Sequence, residues 1–162
     1  MNAAERAQKL ASYASAYDTL REAITHFPKE MWSFKASPDS WTIHAIIVHI
    51  TDSEVNSYIR GRRFIAEPGS PVLGYDESGW AVALHYENQD TETALELFRW
   101  LRISTYAVIK DLPEATWANT VEHSENGTMT MDDWLDTYAR HIPDHINQMQ
   151  EVYAAWLKTQ SN

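Results

Sequence analysis

Apolar side chains recur every three or four residues in four stretches of the chain, which is the spacing of a helix that buries one face. The predicted helices cover residues from about 3 to 27, from about 41 to between Gly61 and Ala66, from about 91 to 110, and from Thr130 onward. The last helix has the longest apolar stripe, formed by Trp134, Tyr138, His141, Ile142, His145, Met149, Val152 and Trp156. The pattern predicts no strand, and four such helices favour an all-α four-helix bundle.

Local signals place the helix ends. Pro28 ends the first pattern, and Asp39 or Ser40 is suited to cap the second helix because either side chain can accept a bond from a first-turn N–H. Thr130 is predicted to cap the last helix, and Asn126 with Gly127 indicates a turn before it.

Long connections, 67–89 and 113–129, join the second helix to the third and the third to the fourth. Connections of this length in a small domain are often functional. The first contains Tyr75, Asp76 and Trp80, and we expect it to cover a site on the bundle.

Composition and charge narrow the function. The 162 residues are 44% hydrophobic, and we expect a single domain over 1–162. A formal net charge of −10 argues against nucleic acid and anionic membranes as partners, because both require a basic surface. No run approaches the roughly 18 apolar residues of a membrane span, and the N-terminus does not resemble a signal peptide, so a cytoplasmic location is expected.

Histidines are the candidate metal ligands of this chain. Cysteine is absent, so a metal site would use histidines and carboxylates. His141 and His145 are four residues apart and therefore lie on one helix face, in the middle of the apolar stripe. They are either two ligands of one ion or two core histidines with hydrogen-bond partners. His49, on the flank of the second helix, is either a third ligand or a boundary residue, and Pro143 should bend the last helix and free a carbonyl.

The segments from Trp41 to Glu54 and from Gly127 to Gln148 resemble the DinB-like (DinB/YfiT) superfamily. The shared pattern is a Trp-led helix with one histidine before an acidic pair, and later His-x-x-x-His followed by Gln. The resemblance implies a four-helix bundle of up-down-down-up order, a small-molecule substrate and a homodimer. It also implies one divalent metal ion bound by His49, His141 and His145.

Three neutral imidazoles leave a coordination position open, as in catalytic zinc sites. They suit Zn, Ni, Fe or Cu, and we expect Zn²⁺ or Ni²⁺ first, with Fe²⁺ or Mn²⁺ as alternatives. Characterised relatives include bacillithiol- or mycothiol-dependent S-transferases and a glutathione-type isomerase. The resemblance thus implies either transfer to a low-molecular-weight thiol, supplied from outside this cysteine-free chain, or hydrolysis by metal-activated water. The alternatives are a non-catalytic metal or small-ligand binding protein in a stress response, and a bundle that has lost the metal and only dimerises.

Four further residues are candidates for supporting the site. Asp52 either orients the His49 ring or lies on a solvated face, and Glu54 is expected to be buried and paired, with an interhelical arginine as the simplest partner. Gln148 matches the Gln of the family pattern and could support a ligand. His123 either lines the pocket or is an ordinary loop histidine, and Asp144 is expected to face solvent.

Overall fold

The computed structural model describes residues 1–160 and contains four long helices. They are α1 (Ala3–Ile24), α2 (Ile43–Ala66), α4 (Thr91–Ile109) and α5 (Met131–Gln160), with a short α3 (Glu77–Ala83) between the second and third. Three-residue to five-residue 3₁₀ turns occupy Lys29–Met31, Tyr86–Asn88 and Glu114–Ala118. The strands are β1 (Pro71–Val72), β2 (Thr120–His123) and β3 (Gly127–Thr130).

Capping side chains explain where the helices begin. Thr130 and Asp133 form a reciprocal pair at the start of α5, because each side chain accepts the other's backbone N–H. The cap of α2 is Thr42, which accepts the Ala45 N–H at 3.0 Å, so the prediction of Asp39 or Ser40 was wrong. Ser40 instead closes a turn with the backbone of Ser37.

Pairing between helices gives their directions. Residue numbers increase in the same direction along α2 and α4 at their contacts, so these two helices are parallel. The contacts are Thr51–Ala94, Glu54–Arg102 and Arg62–Ser104. The same criterion shows that α1 and α5 are parallel, from the contacts Arg6–Asp132, Lys9–Asp136 and Ser12–Ala139. By contrast, α1 and α4 are antiparallel, since Tyr17 contacts Glu96 while Arg21 contacts Glu92. The bundle therefore has the up-down-down-up order implied by the family resemblance.

A three-stranded sheet, for which the sequence pattern gave no clear sign, closes one end of the bundle. β2 and β3 form an antiparallel hairpin, and β1 pairs with β2 in parallel, with Val72 opposite His123. Gly127 has φ +68°, a left-handed conformation that glycine adopts without strain. Val72 and Val121 are buried against Trp134, which anchors the sheet to α5.

The core follows the predicted stripes with local shifts. On α4 the helical spacing of apolar residues predicts that Leu97 and Val108 are buried, but both are exposed, while Leu95 and Arg102 are buried. The buried face of α4 is rotated from the predicted one because Arg102 must face a buried carboxylate. Glu54 on α2 is fully buried and accepts hydrogen bonds from the Tyr13 hydroxyl at 2.6 Å and from Arg102 Nε at 2.7 Å. The expected interhelical ion pair of Glu54 is confirmed.

Pro143 lies inside α5, and the helix continues through it. Proline has no N–H, so the carbonyl of Ala139 loses its helical partner. The Ser12 hydroxyl of α1 donates to that carbonyl at 3.1 Å. The freed carbonyl expected from the sequence is therefore used to join α5 to α1.

No helix within residues 1–160 combines the length and the apolar character that crossing a membrane requires.

Candidate metal centre

Three histidines converge where α2 and α5 cross. His49 comes from α2, and His141 and His145 come from successive turns of the antiparallel α5. Each ring offers a nitrogen, and the three nitrogens all lie within 4.8 Å of one another. His49 is only 3% exposed. The structure thus brings together the three residues that the sequence and the resemblance proposed as ligands.

The nitrogen geometry fits one shared ion. Nε2 of His141 and Nε2 of His145 are 3.1 Å apart. Two nitrogens bound at the usual Zn–N distance to a tetrahedral ion are about 3.3 Å apart. The ring of His145 is turned to suit such a role, because its Nδ1–H can donate to Oε1 of Gln148 at 2.8 Å and leave Nε2 with a free lone pair.

The protein's own hydrogen bonds do not account for His141. Its Nδ1 is buried and has no hydrogen-bond partner among residues 1–160. Buried ring nitrogens without partners are rare because they lose the hydrogen bonds that water would supply. An ion on Nε2 would leave this Nδ1 without a partner too, so the close pair of Nε2 atoms is the observation that favours a metal ligand over a satisfied core histidine.

Burial keeps all three rings uncharged. It lowers the pKa of His49 to about 3, with a smaller effect from the neighbouring His145. Burial also lowers the pKa of His141 well below its ordinary value, and the other two histidines act in the same direction. The pKa of His145 is lowered by burial as well, against the opposing effect of Gln148. At neutral pH each ring therefore has a lone pair available for a metal.

The connection 67–89 covers the His49 side of the site. The Tyr75 hydroxyl lies 3.5 Å from His49 Nδ1, and Oε2 of Glu77 lies 3.9 Å from His49 Nε2. Trp80 packs on Tyr75 with the ring centroids 4.6 Å apart. Across the ring, Trp41 contacts His49 edge-on at a centroid distance of 5.0 Å. This cover explains why a residue on the flank of the apolar face of α2 is buried.

The supporting residues proposed from the sequence lie in different places. Gln148 contacts His145, as described, whereas the Asp52 carboxylate accepts a hydrogen bond from the Tyr86 hydroxyl at 2.5 Å. Among residues 1–160 no hydrogen bond joins Asp52 to His49. Asp144 is exposed as expected, and Asp76 caps α3 by accepting the Gly79 N–H.

A cavity of about 200 Å³ opens beside His141. Its wall carries one cation, Arg60, two carboxylates, Glu77 and Glu125, and His123 from β2. Nδ1 of His123 accepts backbone N–H groups at 3.2 and 3.4 Å, so the hydrogen of the neutral ring is on Nε2. Burial lowers the pKa of His123, and nearby Arg60 adds to the effect.

Sequence reasoning missed part of this wall. The sequence does not single out Glu77, Glu125 or Arg60 as site residues. The available signal was indirect: Asp76 three residues before Gly79 indicates the start of a short helix, which would have placed Glu77 in its first turn.

Comparisons with known proteins identify the family of this chain. The sequence profile of the DinB superfamily matches residues 12–149. A protein of Oceanobacillus iheyensis, provisionally named a metal-dependent hydrolase, is 28% identical over 127 residues, which cover 78% of this chain and 73% of the relative. YfiT of Bacillus subtilis has the same provisional name and is 26% identical over 113 residues, 69% of this chain and 64% of that protein.

Solved structures show the same fold. The structure of Bacillus subtilis YfiT, described as a probable metal-dependent hydrolase with an unusual four-helix bundle topology, matches with a TM-score of 0.86 at 20% identity. The match covers 94% of this chain and 87% of that one. A mycothiol-dependent maleylpyruvate isomerase matches with a TM-score of 0.70 at 10% identity, over 89% of this chain and 60% of the isomerase. The bundle, its helix order and the profile match over most of the sequence establish that this chain belongs to the DinB superfamily.

Proposed function

We propose that this protein is a metal-dependent hydrolase of a small molecule, with one divalent ion held by His49, His141 and His145. The observation that carries the proposal is the meeting of three neutral, largely buried imidazoles whose nitrogens lie within 4.8 Å of one another. The provisional names of the relatives as metal-dependent hydrolases support the same reaction class.

The donor set selects the metal and leaves room for a substrate. Imidazole nitrogens favour Zn²⁺ or Ni²⁺ over the oxygen-seeking Mg²⁺ and Ca²⁺. Three protein ligands are the number found in catalytic zinc sites, in which a further position stays open. When bound there, the ion would act as a Lewis acid toward a substrate oxygen and would make water a better nucleophile.

The chain's own groups prepare this site in three ways. Gln148 fixes the orientation of the His145 ring through Nδ1, and the low pKa values keep protons off the ligand nitrogens. The hydroxyls of Tyr75 and Tyr138 stay protonated because burial raises the pKa of both. With Arg60, whose Nη1 donates to the Tyr138 hydroxyl at 3.3 Å, they provide hydrogen-bond donors for negative charge on a bound substrate.

Metal analysis tests the site directly. We expect protein purified without an affinity tag to contain about one equivalent of Zn²⁺ or Ni²⁺ and to lose thermal stability when a chelator removes the ion, because a ligand of the folded state stabilises it. His145→Ala should abolish stoichiometric binding, whereas His26→Ala, at an exposed histidine in the turn after α1, should retain it. Less than about a tenth of an equivalent in the wild type, with a melting temperature unchanged by chelation, would refute the metal site.

A second candidate reaction is transfer of a small electrophile to a low-molecular-weight thiol. The fold shared with a mycothiol-dependent isomerase favours it, and because the chain has no cysteine the thiol would come from solution. Metal-loaded protein should be assayed against esters, amides and reactive electrophiles, each with and without mycothiol, bacillithiol or glutathione. Turnover without thiol supports the hydrolase and turnover only with thiol supports the transferase. Rates equal to those of the His145→Ala variant in every assay would contradict both reactions.

A further inference from the structure

Glu77 is a carboxylate beside the histidine site, and the charge of Arg60 on the same cavity wall acts on it only from beyond ion-pair distance. It is the first residue of α3, and its Oε2 lies 3.9 Å from His49 Nε2. Within the part of the chain that the structure describes, its carboxylate has no hydrogen bond and no Lys or Arg within 4.0 Å. The only ion-pair partner in range is therefore the uncharged His49 ring. Its side chain is 55% exposed and free to change rotamer.

The charge of the site explains what such a carboxylate could do. Three neutral imidazoles offset none of the charge of a divalent ion, so an anion is favoured at the remaining position. Tyr75 occupies the Nδ1 side of His49, which leaves Nε2, the atom nearest Glu77, as the nitrogen facing the site. Nitrogen and oxygen ligands of one tetrahedral ion lie about 3.3 Å apart, somewhat closer than the 3.9 Å of this pair.

We propose that Glu77 is a fourth, displaceable ligand of the metal ion, an inference that rests on the proposed metal site. The groups already within 4.8 Å of one another are the three histidines alone, so Glu77 reaches the ion by an inward rotation of its exposed side chain. The helix that carries Glu77 packs only loosely on the bundle, because no residue of the seven-residue α3 is buried. An anionic substrate group can therefore replace the carboxylate at the ion, and the side chain of Glu77 then rotates back toward solvent.

The first test compares zinc affinity, measured by competition with a fluorescent chelator at pH 7. Glu77→Gln keeps the size of the side chain but removes its charge, and we expect it to weaken Zn²⁺ binding at least about tenfold. The matched control is Glu125→Gln, which removes a carboxylate from the wall of the same cavity but not from the neighbourhood of His49. If Glu77 acted only through the electric field, screening by solvent and salt would keep the effects of both variants small. We expect the control to lose less than about threefold, because solvent and salt screen such charges.

The second test examines the coordination sphere. The visible spectrum of bound Co²⁺ depends on the number and geometry of its ligands. The spectrum of Glu77→Ala should differ from that of the wild type, and added acetate should restore it by supplying the missing carboxylate. Equal zinc affinity and identical Co²⁺ spectra for the wild type and both Glu77 variants would overturn this proposal while leaving the three-histidine site intact. A wild-type protein that binds no metal would overturn the proposed function as well.

Discussion

The ring of His49 shows how its neighbours, rather than the residue itself, set its chemistry. From the sequence it lies on the flank of α2, and the resemblance was needed to make it a third ligand. In the structure Trp41 and Tyr75 enclose the ring, and this enclosure was not predictable because Tyr75 comes from a connection without periodicity. The pair His141 and His145 was predictable from spacing alone, since helix geometry places residues four apart on one face.

Burial of neutral histidines predicts that the metal-free protein loses stability in mild acid. The unfolded chain protonates a histidine below about pH 6.5, whereas folded His49 does so only near pH 3. Between these values the unfolded state binds more protons, so the free energy of unfolding falls as pH falls. At pH 5 the loss relative to pH 7 should be about 2 kcal/mol for each histidine that stays neutral in the folded state.

Denaturant titrations at pH 7 and pH 5 with a chelator present measure this loss. Most carboxylates are ionised in both states above pH 5, so the window reports mainly on histidines. His49→Gln should show a smaller difference between the two pH values than the wild type. Equal wild-type stability at pH 7 and pH 5 would contradict the shifted pKa values.

Among the elements, the four long helices were predictable because each buries one face over at least five turns. The sheet was not predicted, since a strand of two residues shows no alternation and β1 pairs with residues about 50 positions away. The hairpin of β2 and β3 had a usable signal: Asn126-Gly127 between alternating residues is a strong hairpin pattern. α3 shows no apolar periodicity, because none of its seven residues is buried; its only sequence signal is the capping residue Asp76.

The join between Pro143 and Ser12 is testable at the level of these helices. Ser12→Ala should lower the free energy of unfolding by about 1 kcal/mol, because the Ala139 carbonyl then has no donor. In a Pro143→Ala background residue 143 regains its N–H, and the same serine change should cost clearly less. Denaturant unfolding of the four proteins of this cycle measures the coupling. Additive effects would show that Ser12 does not compensate for the proline.

Across the whole molecule, the buried ion pair and its hydrogen bonds link all four long helices. Arg102 of α4 bonds Glu54 of α2 and the backbone carbonyl of Tyr138 in α5, while Tyr13 of α1 completes the shell around Glu54. The sequence predicted that Glu54 was buried and paired with an arginine. It did not predict which arginine, because Arg102 lies 48 positions away and interrupts an otherwise apolar face.

Removing one partner of this pair should be costly. Glu54→Gln leaves the Arg102 charge buried without a counter-ion, and we expect a loss of about 3–5 kcal/mol in the free energy of unfolding. Asp111→Asn, which breaks the exposed pair with Lys110, is a suitable control and should change stability little. A loss below about 1 kcal/mol for Glu54→Gln, measured by denaturant unfolding, would contradict this role.

The parallel arrangement of α2 and α4 has an evolutionary consequence. Parallel neighbours cannot be joined by a tight turn, so after α2 the chain must return along about 36 Å of helix before α4 begins. The return path passes His49, which is why residues such as Tyr75 and Glu77 come to lie over the histidines. The bundle thus positions the three histidines, while a separate and loosely packed segment covers them. Such a division lets the sequence of the returning segment change while the helices that bring the three histidines together remain unchanged.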